Sequence, residues 1–218
     1  MKFSQKHEPQ HFNQLVFADL HVKKQLLDYA NGIRNGHILL HGDYGLAKST
    51  TARLIAKNRL CRDVPLACVD ILSATDFDKD INPKLERISN GWGLQQFNGQ
   101  SHPVAIIDEV HLLSPMTNQY KLRAFMDQAK HGSFIFTANQ TASIDAGILN
   151  RCDVVEIKPL TSACALAACQ RILRSEGVVL SDQVVGDLLD TTDFSWRDIL
   201  RALEQAVIAY KKRAASKR

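Results

Sequence analysis

The sequence predicts an α/β fold: a five-stranded parallel sheet covered by helices, followed by a small three-helix unit. Three observations predict it. Short continuous apolar runs, such as 38–40, 104–107 and 133–137, alternate with stretches of helical spacing, as expected of strands buried on both faces. After Pro159 the apolar runs stop, and three amphipathic stretches follow. Between the first run and the helix after it lies a glycine-bearing loop ending in Lys48-Ser49-Thr50, the strand–loop–helix layout of a phosphate-binding loop.

The elements follow in order. Leu20 to Tyr29 is helical, with Leu20, Val22, Leu26, Leu27 and Ala30 apolar, and Asn31-Gly32 closes it. Ile38 to Leu40 is the first strand. Ser49 to Leu60 is a helix with Ala52, Leu54, Ile55 and Leu60 apolar. Pro65 to Leu72 is the second strand. Residues 73–102 read as polar and irregular, with a helical piece around Pro83 to Ile88 and Trp92 as a loop anchor. Val104 to Ile107 is the third strand, and a helix follows from Met116 to Ala129 with Phe125 and Met126 on its core face. Ser133 to Thr137 and Val154 to Ile157 are the fourth and fifth strands. Helices near 161–175, 181–190 and 196–212 start after Thr161, Ser181 and Ser195, all good N-caps. The expected organisation is an α/β core over 1–159, a helical lid over 160–212 and a basic tail over 213–218.

Composition bounds the function. At 45% hydrophobic and 23% charged, the chain reads as an ordinary soluble globular protein. No apolar run approaches the length of a membrane span, and residues 1–12 lack the apolar core of a signal peptide. The five cysteines form no C-x-x-C pair, which argues against a disulfide framework or a structural zinc site. A reducing, cytoplasmic setting is the expectation, with no membrane partner. Five of the basic residues lie in 210–218, which holds no acid. The rest of the chain is near neutral, so the tail is either a solvated terminus or an attractor of phosphate backbones.

The loop Gly42-Asp43-Tyr44-Gly45-Leu46-Ala47-Lys48-Ser49-Thr50 suits a triphosphate. Its backbone N–H groups converge at a helix N-terminus, where anions are favoured. Lys48 is placed to reach the β- and γ-phosphates, and the Ser49 hydroxyl to ligate Mg²⁺. The fold class is therefore a P-loop NTPase. Ala47 stands where glycine is usual, and an L-residue at positive φ costs about 1 kcal/mol. Asp108 and Glu109 end the third strand, where ligands of open α/β sheets sit. Asp108 is the second candidate for Mg²⁺, and Glu109 for polarising the attacking water. Asn139, after Thr137-Ala138, is a candidate for positioning that water; alone it would be a turn residue. Arg151 is either a surface residue or an arginine finger acting on a neighbouring subunit. Arg197 lies in the first turn of the last helix, where a cation opposes the helix dipole unless it meets an anion.

In this order, these residues resemble those of an AAA+ ATPase, and most of all a clamp-loader subunit of the replication factor C small-subunit type. The likeness implies that the Lys48 loop, the Asp108-Glu109 pair, Asn139, Arg151 and Arg197 are P-loop, Walker B, sensor 1, arginine finger and sensor 2. It extends to KHEPQHFNQLVF (6–17), which resembles the family's adenine-covering entry and implies nucleotide contacts at His7, Pro9 and Val16. It also extends to ILNRC (148–152), with Asn150 in place of serine, and it covers 6–212. The implied cofactors are ATP and Mg²⁺. The implied partners are primed or double-stranded DNA, other AAA+ subunits in a homo- or hetero-oligomer, and a sliding clamp, with nucleoid association when DNA is bound. Lys79, Lys84 and Arg87 are candidates for DNA phosphate contacts, or else a solvated helix face.

Three departures stand out: Ala47, the form Asp-Glu-Val-His at 108–111, and Arg218 directly after the third lid helix, where the family carries a helical collar of domain size. Oligomerisation is then expected through the ATPase domains, a partner or template DNA, unless the chain is a piece of a longer one. Two rival readings follow. One is a scaffold or adaptor whose nucleotide site is impaired; the other is a helicase loader or transposition-type regulator.

Overall fold

The computed structural model describes residues 2–60, 67, 69–77, 80–99, 102–129 and 132–216. Five parallel strands form one sheet in the order β2-β3-β4-β1-β5: β1 (His37–His41), β2 (Ile71–Ser73), β3 (Val104–Asp108), β4 (Ser133–Ala138) and β5 (Cys152–Glu156). The order reverses at β1, because the chain leaves it for the far edge and returns past it to β5. Such a switch point opens a crevice at the carboxyl ends of the strands. The register sets those ends side by side, pairing His41 with Ala138 and Ser73 with Asp108.

Strand alternation divides the core between two faces. Leu39, Ala105, Ile107, Phe134 and Phe136 turn one way, into a buried cluster with Leu85, Ile88 and Trp92 of α4 (Asn82–Phe97) and Leu122 and Met126 of α5 (Met116–Gln128). Ile38, Leu40, Ile106 and Ile135 are buried on the opposite side of the alternation. Helix α3 (Lys48–Arg59) lies against β1, β3 and β4. Its Asn58 and Arg59 donate to the carbonyls of Ala30 and Tyr29 at the end of α2 (Leu20–Ala30). On α2 only Leu26, Tyr29 and Ala30 are buried, and Leu20 is exposed.

Two expectations for 65–102 are corrected. The second strand is observed at Ile71–Ser73, and residues 61–66 and 68 lie outside the described residues. The polar stretch holds a 16-residue helix, α4, and Trp92 sits on it, buried, rather than anchoring a loop. Asn90, Gly91 and Gly93 are poor helix formers. Packing overrides them: Gln95 of α4 bonds both the N–H and the carbonyl of Val104 at 2.9 Å, alongside the burial of Leu85, Ile88 and Trp92.

The chain divides into two compact units. Residues 21–43 and 48–157 form the sheet unit, and residues 1–20, 44–47 and 158–218 form the other. The N-terminal segment therefore groups with the helices that follow the sheet, not with the core as its sequence position suggested. Those helices are α7 (Ser162–Ser175), α8 (Asp182–Leu189) and α9 (Trp196–Ala215). The hydroxyls of Thr161, Ser181 and Ser195 accept from Cys164, Val184 and Asp198 N–H groups, capping each one. Leu160, Cys169, Leu173, Val185, Ile199 and Leu203 form the unit's core, and Phe3 and Val16 pack against it. Glu176, after α7, accepts from Lys6 at 2.6 Å, His7 at 2.9 Å and Lys211 at 3.1 Å. These bonds, Lys6 first, hold its carboxyl down at about 2. Among the described residues no helix is long and apolar enough to cross a membrane.

His37 makes the sheet unit acid-sensitive. Its Nδ1 accepts the Phe134 N–H at 3.0 Å, joining the starts of β1 and β4. Burial first, then the Arg151 charge, lowers its pKa from 6.5 to about 4. The unfolded chain therefore takes up this proton near pH 6.5 and the folded chain only near pH 4. Stability is expected to fall as pH drops through that window, by up to about 3 kcal/mol from this group. Urea unfolding at pH 7.5 and 4.5 checks this. The loss should shrink in His37→Asn, whose amide oxygen can accept the same N–H and does not titrate.

Candidate active site

The loop between β1 and α3 takes its shape from three residues at positive φ: Gly42 (139°), Gly45 (79°) and Ala47 (61°). Ala47 thus adopts the left-handed conformation that glycine favours, at a cost of about 1 kcal/mol. The glycine at 45 is required twice over. Its φ is positive, and a Cβ there would come within 3.0 Å of Ser195 Oγ and Arg197 Cβ. Its carbonyl accepts the Arg197 N–H at 3.3 Å, satisfying a first-turn amide of α9 that has no partner within its own helix. Leu46 is buried and Tyr44 exposed.

Lys48 opens α3, and its side chain is buried against the loop, with Nζ donating to the carbonyls of Gly42 at 2.7 Å and Asp43 at 2.6 Å. Ser49 Oγ donates to Asp108 Oδ1 at 2.8 Å. The first turn of α3 and the end of β3 are thereby joined by two oxygen ligands, a hard donor set that fits Mg²⁺. Thr50 follows on α3, partly buried. Thr137, one residue from the end of β4, bonds Asp108 through its hydroxyl and accepts the Glu109 N–H at 3.0 Å. Glu109 is held in a left-handed turn, φ 58°, partly exposed beside the buried strand.

Asn139 leaves β4 next to this turn, with its amide nitrogen 3.4 Å from His111 Nε2. The buried His111 ring feels both the Glu109 and the Lys48 charge, and burial foremost lowers its pKa. Thr137 and His111 are the residues that sequence reasoning missed as members of the site. Their only signal was position: a threonine one residue short of a strand end, and a histidine two residues after the acidic pair.

Several other candidates have partners of their own. The exposed Arg151 binds Asp127 with two nitrogens, at 2.6 and 2.9 Å, and the Gly147 carbonyl with a third. His7 is tied to Glu176, Val16 packs into the helical unit, and Pro9 is partly buried. Of the DNA candidates, Arg87 pairs with Asp70 at 2.7 Å and Lys84 is partly buried on α4. Lys79 lies outside the described residues. Arg197 is exposed at the start of α9.

Residues 38–160 match the family described as "ATPase family associated with various cellular activities (AAA)". The chain is 24% identical, over 95% of its length, to replication factor C small subunit 1 of Pyrobaculum arsenaticum, of which it covers 62%. It is 25% identical, over 91% of its length, to DNA polymerase III subunit tau of Bacillus subtilis, of which it covers 38%. The chain thus spans less than two thirds of these relatives. In fold it is similar to the RuvB Holliday junction branch migration motor of Thermotoga maritima, with TM-score 0.72 at 18% identity, over 93% of this chain and 65% of that one. Domain III of the replication initiation protein DnaA from the same organism gives 0.67 at 15% identity, over 94% and 90%.

Proposed function

The chain belongs to the AAA family of ATPases, and from that premise we propose that it binds and hydrolyses ATP and couples this to assembly on DNA as a clamp-loader-like module. The observation that carries the reading is the Ser49–Asp108 hydrogen bond at 2.8 Å, with Glu109 next in the chain. It unites a phosphate-binding loop with an acidic strand end. The relatives named as replication factor C and DNA polymerase III subunits support the DNA coupling.

In this reading the loop amides of 42–50 and the Lys48 ammonium hold the phosphates. Ser49 and Asp108 hold Mg²⁺, which when bound supplies charge neutralisation at the β- and γ-phosphates. Glu109 accepts a hydrogen bond from the attacking water and polarises it. Asn139 orients that water. Arg151 exchanges Asp127 for the phosphate of a neighbouring AAA+ subunit, completing that site. DNA and a sliding clamp are the partners.

The test is ATP turnover with and without primed DNA, with Glu109→Gln as the null. DNA-stimulated turnover that this variant abolishes supports the reading, and turnover indifferent to Glu109 sinks it. Alanine at 47, where glycine is usual, motivates a second reading: a scaffold subunit with an impaired nucleotide site.

A further inference from the structure

We propose that His111 is a positioning residue, whose Nε2 accepts an N–H of Asn139 and so fixes the plane of that amide beside Glu109. The proposal rests on the ATPase reading for its consequence, and on the geometry alone for the contact.

His111 lies on the short turn Val110–Leu112 that follows Glu109, and it is 9% exposed. It touches the segment after β4 at two points. Its ring nitrogen faces the Asn139 amide at 3.4 Å, and its carbonyl accepts the Ser143 hydroxyl at 3.0 Å. The Ser143 carbonyl in turn accepts from Gln119 Nε2 at 3.0 Å, so the segment is braced from α5 as well. Thr137 joins β3 to β4 at Asp108 and Glu109. His111 makes the matching link one step further from the sheet, between the turn carrying Glu109 and the turn carrying Asn139.

The chemistry fixes the tautomer. To accept from an amide N–H, Nε2 must be bare, so the ring is neutral and its proton is on Nδ1. Nδ1 is buried and has no hydrogen-bond partner among the described residues. With one Asn139 N–H facing His111 Nε2 at 3.4 Å, rotation of the amide is restrained. Its oxygen and second N–H then keep one orientation toward the attacking water. Alanine at 111 frees that rotor and leaves every proposed phosphate and Mg²⁺ contact in place, so the loss falls on the chemical step and not on binding.

Two measurements test this. The first is ¹⁵N NMR of the imidazole in the full chain. The Nδ1–H tautomer is expected, with His111 resonances that shift in Asn139→Ala. An Nε2–H tautomer, or resonances indifferent to Asn139→Ala, overturns the contact whether or not the chain hydrolyses ATP. The second is turnover. His111→Ala is expected to lower kcat about tenfold with ATP affinity within about twofold. His111→Gln, whose amide reaches the Nε2 position, is expected to recover most of it. The His111→Ala/Asn139→Ala pair should lose no more than Asn139→Ala alone. Additive losses, or a glutamine no better than alanine, overturn the positioning role. A parent without turnover counts against the ATPase reading, and the tautomer still decides the contact.

Discussion

Glu109→Gln is expected to lower DNA-stimulated ATP turnover by at least about 10²-fold while leaving ATP affinity within about twofold. The two side chains are nearly the same shape, so the left-handed turn and the Glu109 N–H bond to Thr137 should survive. What is lost is the carboxylate. A glutamine oxygen is a much weaker base, and catalysis by a positioned base is worth about 10²–10⁴. The Lys48, Ser49 and Asp108 contacts do not involve residue 109, so binding is spared. Single-turnover hydrolysis together with equilibrium binding checks both halves. A fall in affinity that matches the fall in rate would place Glu109 in ground-state binding instead.

Trp92→Ala is expected to destabilise the sheet unit by about 3–5 kcal/mol, a large share of the ~5–15 kcal/mol that holds a typical domain folded. Trp92 is 6% exposed. Its ring lies 5.1 Å from Phe134 and 5.7 Å from Phe125, tilted against both, in an aromatic cluster that continues by stacking to Phe136. Gly132 lies flat on the indole, since a Cβ there would come within 2.3 Å of it. The indole N–H has no hydrogen-bond partner among the described residues. Trp92→Phe therefore loses area but no bond, and is expected to cost less than half as much. Denaturant unfolding of the two variants separates a packed core position from a loop anchor, for which both changes would cost under about 1 kcal/mol.

Strands β1, β3 and β4 were legible because they are short apolar runs, two of them leading into informative residues, and the last three helices because Thr161, Ser181 and Ser195 are local caps. Helix α4 was not legible. Its Asn90-Gly91-Trp92-Gly93 stretch has loop composition, and the reasons it is helical, Trp92 against Phe134 and Gln95 against Val104, are contacts to strands outside the helix. The grouping of the first twenty residues with the last sixty was hidden for the same reason: Glu176 meets Lys6 and His7 only in three dimensions. At the site, Lys48, Ser49, Asp108 and Glu109 announce themselves by sequential spacing. Thr137 and His111 act across neighbouring strands and carry no local pattern. Sequence left Arg151 as a surface residue or a finger, and did not reveal that Asp127 holds it.

The most direct test of the central claim is equilibrium binding of ATP with Mg²⁺ to the parent and to Ala47→Gly. Ala47 already adopts the positive φ that a phosphate-cradling loop requires, so its strain of about 1 kcal/mol is borne in folding. The parent is therefore expected to bind ATP, with the glycine variant within about tenfold of it. A parent that does not bind, restored by Ala47→Gly, would contradict a working nucleotide switch and leave the scaffold reading in its place.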